Sequence, residues 1–425
     1  MIKIIKYSGQ TAEELFGNRD EITYNVEEAV KAIIADVRKR GDCAVREYSA
    51  KFDGFTGEKL EVEEREFEEA FQSLDEKFIQ TLKNSIENIR QFHQKQLKSG
   101  FEIKLGDRIV GQKITPVERA GIYVPGGTAA YPSTVLMNAL PAKIAGVGCI
   151  CMATPVKRDG KVKPEVLCAA RLCGVDKVFK MGGAQAIAAL AYGTESVPKV
   201  DVITGPGRDY VATAKKLVYG IACGIDMIAG PSEIVVLADG GANPEHVAAD
   251  LLSQAEHDKI ASAILITDSA ALAESVVGEL SEQVKKLERH EIAEASLENN
   301  CRIILTEDLT AAVDVCNSYA PEHLELAVKE PFKLLDRVKN AGSVFLGYNT
   351  PEAVGDYFAG TNHTLPTSGT ARFASPLSVD DFMKSTQYVY YSKSALDNSA
   401  EDIISFANSE GLGAHAQSVA VRLKK

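Results

Sequence analysis

The sequence predicts an α/β protein built from two tandem doubly wound domains. Short β-rich runs alternate with alanine-rich helical runs from about residue 121, and the alternation starts again at about residue 234. Strand, helix and strand at this spacing imply right-handed crossovers between parallel strands. Glycine turns follow two of these strands, at residues 181–185 and 204–208. A chain of 425 residues is long enough for two or three domains of ordinary size.

Residues 20–100 are charge-rich and predict helices over 26–48 and 62–96, where apolar residues recur at helical spacing. The whole chain has 59 acidic against 47 basic residues, a formal net charge of -12. That excess excludes a general nucleic-acid binder, which needs a basic face. The start, MIKIIKYSGQ, predicts no secretory signal, and eight irregularly spaced cysteines favour the reducing cytoplasm.

The longest uncharged stretch, residues 120–142, has the length of a membrane span. Its prolines and glycines, among them Pro125, Pro132, Pro141 and Gly127, would break a spanning helix. We therefore expect a loop with a buried turn there, and no membrane partner.

The two glycine turns are candidate nucleotide-binding loops. Each could present backbone N–H groups to a phosphate at a helix N-terminus. Neither matches the GxGxxG pattern, so two interpretations stay open: phosphate binding, or tight turns that need glycine for their backbone geometry.

A predicted helix at residues 244–257 contains a candidate metal site. Gln254 and His257 stand three residues apart and point to about the same side of a helix, so both could bind one ion. Glutamine is an uncommon zinc ligand, so a solvated histidine on a polar face is the alternative. His246 lies about 16 Å away along the helix axis. We assign it to the helix start, with Asn243 as the cap.

Two further segments combine a carboxylate with a histidine. Pro321-Glu322-His323 offers a base for water beside a group that shuttles protons near neutral pH, but the tripeptide could also begin a helix. Asp356 and His363 lie in the long loop segment GDYFAGTNHTLPT, where the Asp356 carboxylate could bind a metal.

The end of the chain predicts a small helical tail. It contains Glu410 and His415 in the glycine-interrupted segment SEGLGAHAQS. Side chains of a tail are usually solvated, unless the tail reaches a site elsewhere.

These blocks together resemble the histidinol dehydrogenase family. Residues 225–257 match that family's long signature almost throughout. Other blocks occur in family order between about residue 110 and residue 415: GIYVPGG, PSTVLMNALPAKIAG, MGGAQAIAALAYGT, YAPEHLEL, GDYFAGTNHTLPT and EGLGAH. The resemblance implies oxidation of L-histidinol through histidinal to L-histidine, with two hydride transfers to NAD, in the last steps of histidine biosynthesis.

The resemblance also implies Rossmann-like domains and a homodimer in which a small C-terminal extension crosses to the partner. We expect the following parts: a first α/β domain from residues 18–120 and 234–376, a nucleotide-binding α/β domain from residues 121–233, a small extension from residues 1–17 and 377–400, and a helical tail from residues 401–425.

The site residues follow from the same resemblance. One zinc ion would be bound by Gln254, His257, Asp356 and His415. Histidinol would be surrounded by those four ligands and by Ser232, His323, His363 and Glu410. Glu322 and His323 would be the acid/base pair. Glu410 and His415 would come from the partner subunit.

For the cofactor, Tyr123, Gln185 and Arg208 match family positions that contact NAD. The family usually has asparagine where this chain has Arg208. A guanidinium can grip phosphate in a fork, so tolerance for the 2′-phosphate of NADP is a hypothesis.

Two other function classes are rivals to this enzyme. A zinc hydrolase could use Glu322 as a base on metal-bound water, but it would form no NADH. A zinc-dependent binding protein for small imidazole compounds would bind its ligand without turnover.

Overall fold

The computed structural model describes residues 2–17, 26–126, 130–228 and 230–423. Gly127 of the uncharged stretch and the predicted domain boundary at residue 18 lie outside the described residues. The chain divides into two compact units: residues 1–96 with 117–382, and residues 97–116 with 383–425. The domain boundaries expected from the sequence stay predictions.

The described residues form strands and helices in the following order along the chain. The strands are β1 (Ile4–Lys6), β2 (Phe101–Leu105), β3 (Arg108–Pro116), β4 (Arg119–Tyr123), β5 (Cys149–Thr154), β6 (Lys177–Lys180), β7 (Val202–Thr204), β8 (Gly224–Ile225), β9 (Glu233–Ala238), β10 (Ser262–Thr267), β11 (Arg302–Leu305), β12 (His323–Ala327), β13 (Ser343–Leu346) and β14 (Met383–Tyr391). The α-helices are α1 (Ala12–Phe16), α2 (Glu27–Arg40), α3 (Asp42–Phe52), α4 (Glu64–Ser73), α5 (Glu76–Gln94), α6 (Pro132–Ala145), α7 (Pro164–Cys173), α8 (Gly183–Tyr192), α9 (Asp209–Val218), α10 (Pro244–Ala255), α11 (Ala270–Gln283), α12 (His290–Asn300), α13 (Leu309–Tyr319), α14 (Pro331–Leu335), α15 (Glu352–Tyr357), α16 (Lys393–Ser409) and α17 (Gly413–Leu423).

The first unit contains two parallel sheets with the same winding. The five-stranded sheet has the order β6-β5-β4-β7-β8, and the six-stranded sheet has the order β1-β11-β10-β9-β12-β13. In each sheet the chain moves outward from a central strand, returns, and then continues on the other side. This is the doubly wound order, so the predicted fold class is confirmed.

The six-stranded sheet has a hydrophobic core on each face. Along β9 the side chains alternate: Ile234 and Val236 face one core, and Val235 and Leu237 face the other. The first core also contains apolar residues of α10, α11 and α12, and the second contains those of α13. A strand buried on both faces needs the near-continuous apolar run that the sequence shows there.

The N-terminal helices pack beside the five-stranded sheet. Each of the two predicted helical spans holds two helices, because Gly41 interrupts the first and the extended Leu74 interrupts the second. Gly41 has φ +55°, a conformation that favours glycine. Helices α2 and α3 contact α8, α4 contacts α7, and α5 contacts α6.

The expectation of a loop and buried turn across residues 120–142 was wrong. Strand β4 ends at Tyr123, and helix α6 begins at Pro132. A proline in the first turn fits a helix, because the first N–H groups have no partner within it. Pro141 lies inside α6 and removes only one further donor. Among the described residues, no helix is long and apolar enough to cross a membrane.

The second unit is a small α/β structure. Strand β3 pairs antiparallel with β2 on one side and with β14 on the other. Helices α16 and α17 follow and pack against each other. The predicted helical tail is thus helical as far as the described residues extend, to residue 423.

Candidate active site

The amino edge of the six-stranded sheet brings together three residues singled out in the sequence. Strand β12 begins at His323, and Glu322 precedes it. Oε2 of Glu322 accepts a hydrogen bond from the backbone N–H of Glu233, the first residue of β9, at 2.9 Å. Ser232 is the residue before Glu233. The tripeptide that could have begun a helix therefore begins a central strand, a strand that the sequence pattern did not predict.

Helix α10 adds Gln254 and His257 at the same edge. It begins at Pro244 with Asn243 as the cap, as predicted, and it runs back along the sheet. The Gln254 amide nitrogen lies 3.1 Å from Nδ1 of His323. The helix ends at Ala255, so His257 lies in the turn that follows. The expectation that His257 lies on the helix was therefore wrong.

Helix α15 faces the His323 ring. Nε2 of His323 lies 3.6 Å from Oε1 of Glu352 and 3.7 Å from Oδ1 of Asp356. Asp356 was expected in an irregular loop, but it lies on this short helix. Glu352 was not among the predicted site residues. It sits four residues before Asp356, so both carboxylates point to one side of the helix.

The carboxylates and the imidazole shift one another's ionisation. Burial raises the pKa of Glu322 to about 8, because a charged carboxylate loses its hydration. Burial alone lowers the pKa of His323, but the Glu352 and Glu322 carboxylates raise it to about 10. Burial also raises the pKa of Glu352 to about 7. For Asp356, burial is outweighed by the hydrogen bond and charge of His323, and the pKa falls.

His363 lies in the segment after α15 and is half-buried. Its neighbour Asn362 fixes this segment, because the buried Asn362 amide donates to the carbonyl of Met137 at 2.7 Å. Burial lowers the pKa of His363 and of His257, which favours neutral imidazoles. A neutral imidazole is the form that binds metals.

The candidate nucleotide residues lie at the carboxyl edge of the five-stranded sheet. Tyr123 ends β4, and its hydroxyl accepts a hydrogen bond from the N–H of Gly183 at 3.1 Å. Gln185 follows on α8 and is 1% exposed, and neither of its amide atoms has a hydrogen-bond partner among the described residues. A buried amide without partners is costly unless a ligand pairs with it.

Arg208 connects this edge to the amino edge of the other sheet. It precedes α9 as the cap residue, and its guanidinium forms an ion pair with Asp258, the residue after His257. The turn at residues 204–208 and the end of α10 are therefore neighbours.

Comparison with known proteins identifies the family. The family model described as histidinol dehydrogenase matches residues 18–423. The chain belongs to the histidinol dehydrogenase family. The histidinol dehydrogenase of Geobacter sulfurreducens is 54% identical over 95% of this chain and 95% of its own. That of Bacillus subtilis is 52% identical over 100% of this chain and 99% of its own.

A solved structure agrees with the assignment. The crystal structure of histidinol dehydrogenase from Elizabethkingia anophelis matches with a TM-score of 0.94 at 36% identity, over 99% of this chain and 98% of that one. As predicted, this chain is therefore an NAD-dependent oxidoreductase of the histidinol dehydrogenase family. The assignment favours it over the hydrolase and the binding protein.

The residues at the amino edge fit a divalent cation. One ligand atom each from His323, Glu352 and Asp356 lies within 4.8 Å of the others. Oε1 of Gln254 is buried, and the part of the chain that the structure describes gives it no hydrogen-bond partner. Nitrogen and oxygen ligands of this kind suit zinc, and a bound cation would favour the charged forms of the Glu352 and Asp356 carboxylates.

Glu410 and His415, the remaining site residues predicted from the histidinol dehydrogenase resemblance, belong to the second unit. Glu410 follows α16 as its cap residue, and His415 lies in the first turn of α17. Both are exposed.

Proposed function

We propose that this chain oxidises L-histidinol to L-histidine through histidinal, with one zinc ion per subunit and two molecules of NAD consumed. The observation on which the proposal depends is the cluster at the amino edge, where an acid/base pair lies beside unpaired metal-type ligands. A cytoplasmic location stays a prediction from the sequence.

The proposed zinc ligands are Gln254, His257 and Asp356, together with His415. The unpartnered Gln254 oxygen and the low pKa of His257 support the first two assignments. Zinc, when bound, would act as a Lewis acid that orients the amino alcohol through its nitrogens. Glu352 lies close enough to Asp356 to balance charge or to fix that carboxylate.

In the first oxidation the neutral His323 ring takes the proton of the substrate alcohol as hydride leaves. A cation bound at Asp356 would offset the carboxylate charge that raises the pKa of His323, so the ring would be neutral before this step. Its Nδ1 lies 3.1 Å from the backbone oxygen of Glu233, which fixes the ring orientation. Its Nε2 is buried and has no hydrogen-bond partner within the described ranges, so it is the nitrogen that accepts the proton. The carboxylates of Glu352 and Asp356 then stabilise the imidazolium.

In the second oxidation Glu322 activates the water that adds to the aldehyde. One of its oxygens is held by the Glu233 N–H, which leaves the other to take the proton from water. A pKa near 8 lets this carboxyl accept and release a proton near neutral pH. His323 takes the next proton as the hydrated aldehyde gives up its hydride.

Substrate binding would use the remaining predicted residues. Ser232 and His363 would contact histidinol from the same subunit, and Glu410 and His415 from the partner of a homodimer. Exposed apolar residues next to them, such as Phe406 at 70% exposure, support a partner surface there.

NAD would bind at Tyr123, Gln185 and Arg208. The unpaired amide of Gln185 and the glycine turn that ends at Arg208 support this location.

The test is an absorbance assay of histidinol with NAD before and after chelation of the metal. We expect two NADH for each histidine formed and loss of activity with the chelator, restored by zinc. Histidinol bound without NADH formation would contradict the proposal, and so would full activity in a metal-free protein.

A further inference from the structure

A buried ion pair binds the backbone of the turn at residues 204–208. Lys215 lies on α9, and Asp226 follows β8. Their side chains are only 2% and 0% exposed, and they form an ion pair with each other. Neither residue belongs to the acid/base or metal chemistry described above.

Both charged side chains bind backbone groups of Gly205. The Lys215 ammonium donates to the Gly205 carbonyl oxygen at 2.8 Å. Oδ2 of Asp226 accepts from the Gly205 N–H at 2.8 Å, and Oδ1 accepts from the N–H of Met227 at 2.6 Å. The glycine thus has both of its backbone polar groups fixed by charged side chains.

On its other side, Gly205 packs closely against the backbone of Tyr123. Gly205 has φ +112°, and a Cβ atom there would lie 2.1 Å from the Tyr123 carbonyl oxygen. The Tyr123 hydroxyl in turn holds the N–H of Gly183 at the start of α8. One continuous set of contacts therefore joins the ion pair to both glycine turns.

Stability alone is a poor explanation for this pair. Taking two charges out of water costs free energy. Buried ion pairs can often be replaced by apolar residues of similar volume without loss of stability. The pair instead fixes the backbone orientation of Gly205, because the two opposite charges hold its carbonyl oxygen and its N–H in a defined geometry.

We propose that Lys215 and Asp226 are positioning residues that hold the turn at residues 204–208 in the conformation that binds the dinucleotide. The inference rests on the proposed function, because it requires NAD to bind at this turn. It adds two residues, neither of them predicted to touch the cofactor, that determine cofactor affinity.

The test uses the double variant Lys215→Met with Asp226→Asn, which removes both charges together so that no lone ion stays buried. The amide that Asp226→Asn introduces carries no charge, but its oxygen can still accept from the Gly205 N–H. Lys216→Met is the matched control, because Lys216 is the next residue on α9 and is exposed. The full-length, zinc-loaded protein is used throughout.

We expect the double variant to raise the KM for NAD by about tenfold or more, which corresponds to about 1.4 kcal/mol of binding. The KM for histidinol and the zinc content should stay unchanged, and NADH fluorescence titration should show the same loss of affinity. Lys216→Met should match the parent in every measurement.

An unchanged KM for NAD in a folded double variant would overturn the inference. An equal loss in NAD affinity, histidinol affinity and zinc content would also overturn it, because that is the result of general destabilisation. If the double variant does not fold, Asp226→Glu supplies the comparison, because it keeps both charges and only moves the carboxylate away from the Gly205 N–H. A raised KM for NAD is again the expected result, and an unchanged one overturns the inference. Failure of the parent protein to bind NADH would instead count against the proposed function itself.

Discussion

The two parallel sheets of the first unit have the same winding but place their candidate functional residues at opposite edges. In the five-stranded sheet the residues follow the carboxyl ends of β4, β6 and β7. In the six-stranded sheet Glu322 and His323 lie at the amino end of β12, and Glu322 binds the start of β9. Doubly wound sheets usually bind ligands at the carboxyl edge, where the winding reverses.

The difference shows how one winding serves two kinds of chemistry. At the carboxyl edge the groups on offer are mainly backbone N–H donors on glycine turns, which suit a dinucleotide. At the amino edge the helix α10 returns with ionisable and metal-type side chains. The ion pair between Arg208 and Asp258 shows that the two edges are neighbours.

The largest expected effect comes from removing a metal ligand at the amino edge. His257→Ala should lose the zinc ion and lower activity by at least about 100-fold, because the ion has few ligands to spare. His246→Ala is the control, since His246 lies near the start of α10, at a small cavity near the carboxyl end of β12. Metal analysis and the NADH assay are the measurements. Loss of zinc in the His246 variant would reverse our assignment of the histidines.

The next effect separates the two oxidation steps. Glu322→Gln should slow aldehyde oxidation by about 10²-fold or more, because only that step needs an activated water. Alcohol oxidation should be affected much less. Single-turnover assays started from histidinol and from histidinal give the two rates. An equal decrease in the rates of alcohol and aldehyde oxidation would contradict the role of Glu322 as the base that activates water.

A change at the carboxyl edge should affect the cofactor alone. Gln185→Leu should raise the KM for NAD by about tenfold, while zinc content and the KM for histidinol stay constant. Because no described residue pairs with the amide, the leucine should leave the melting temperature unchanged or raise it. A lower melting temperature with unchanged NAD binding would show that Gln185 is a core residue.

Arg208 tests whether the two edges act separately. If its guanidinium grips a 2′-phosphate, the parent should use NADP with an efficiency comparable to NAD, and Arg208→Asn should reduce NADP use by about tenfold. Because Arg208 pairs with Asp258, the Asp258→Asn variant tests whether that ion pair withholds the guanidinium. Undetectable NADP turnover in the parent and in Asp258→Asn would contradict the hypothesis that Arg208 binds the 2′-phosphate.

The smallest effect concerns a carboxyl near the nucleotide residues. Burial raises the pKa of Asp53 from 3.8 to about 6, and its Oδ2 has no hydrogen-bond partner among the residues that the structure describes. The folded state therefore binds this proton more tightly, so the free energy of unfolding falls as the pH rises from about 4 to about 6. Asp53→Asn should gain about 1 kcal/mol over the parent at pH 7, allowing for partial exposure, and nothing at pH 4. Urea unfolding at the two pH values measures this difference.

The sequence predicted the winding because alternation of strands and helices depends on local pattern. It missed strand β12, since HLELA contains a glutamate and begins with a histidine, and neither residue is typical of a central strand. It also missed Glu352, because only the tertiary contact with His323 distinguishes this carboxylate from the many exposed ones. The sequence does not predict helix α6, because its prolines are typical helix breakers, although Pro132 lies in the first turn, where a helix tolerates proline.

The position of His323 in the sheet has a consequence for the catalytic cycle. It pairs in register with Ile234 on one side and Ser343 on the other, so its backbone is fixed between two neighbours. A base anchored in this way cannot follow a moving intermediate. In the proposed cycle the imidazole and the aldehyde would therefore stay in place, and the spent nicotinamide would leave and be replaced between the two steps.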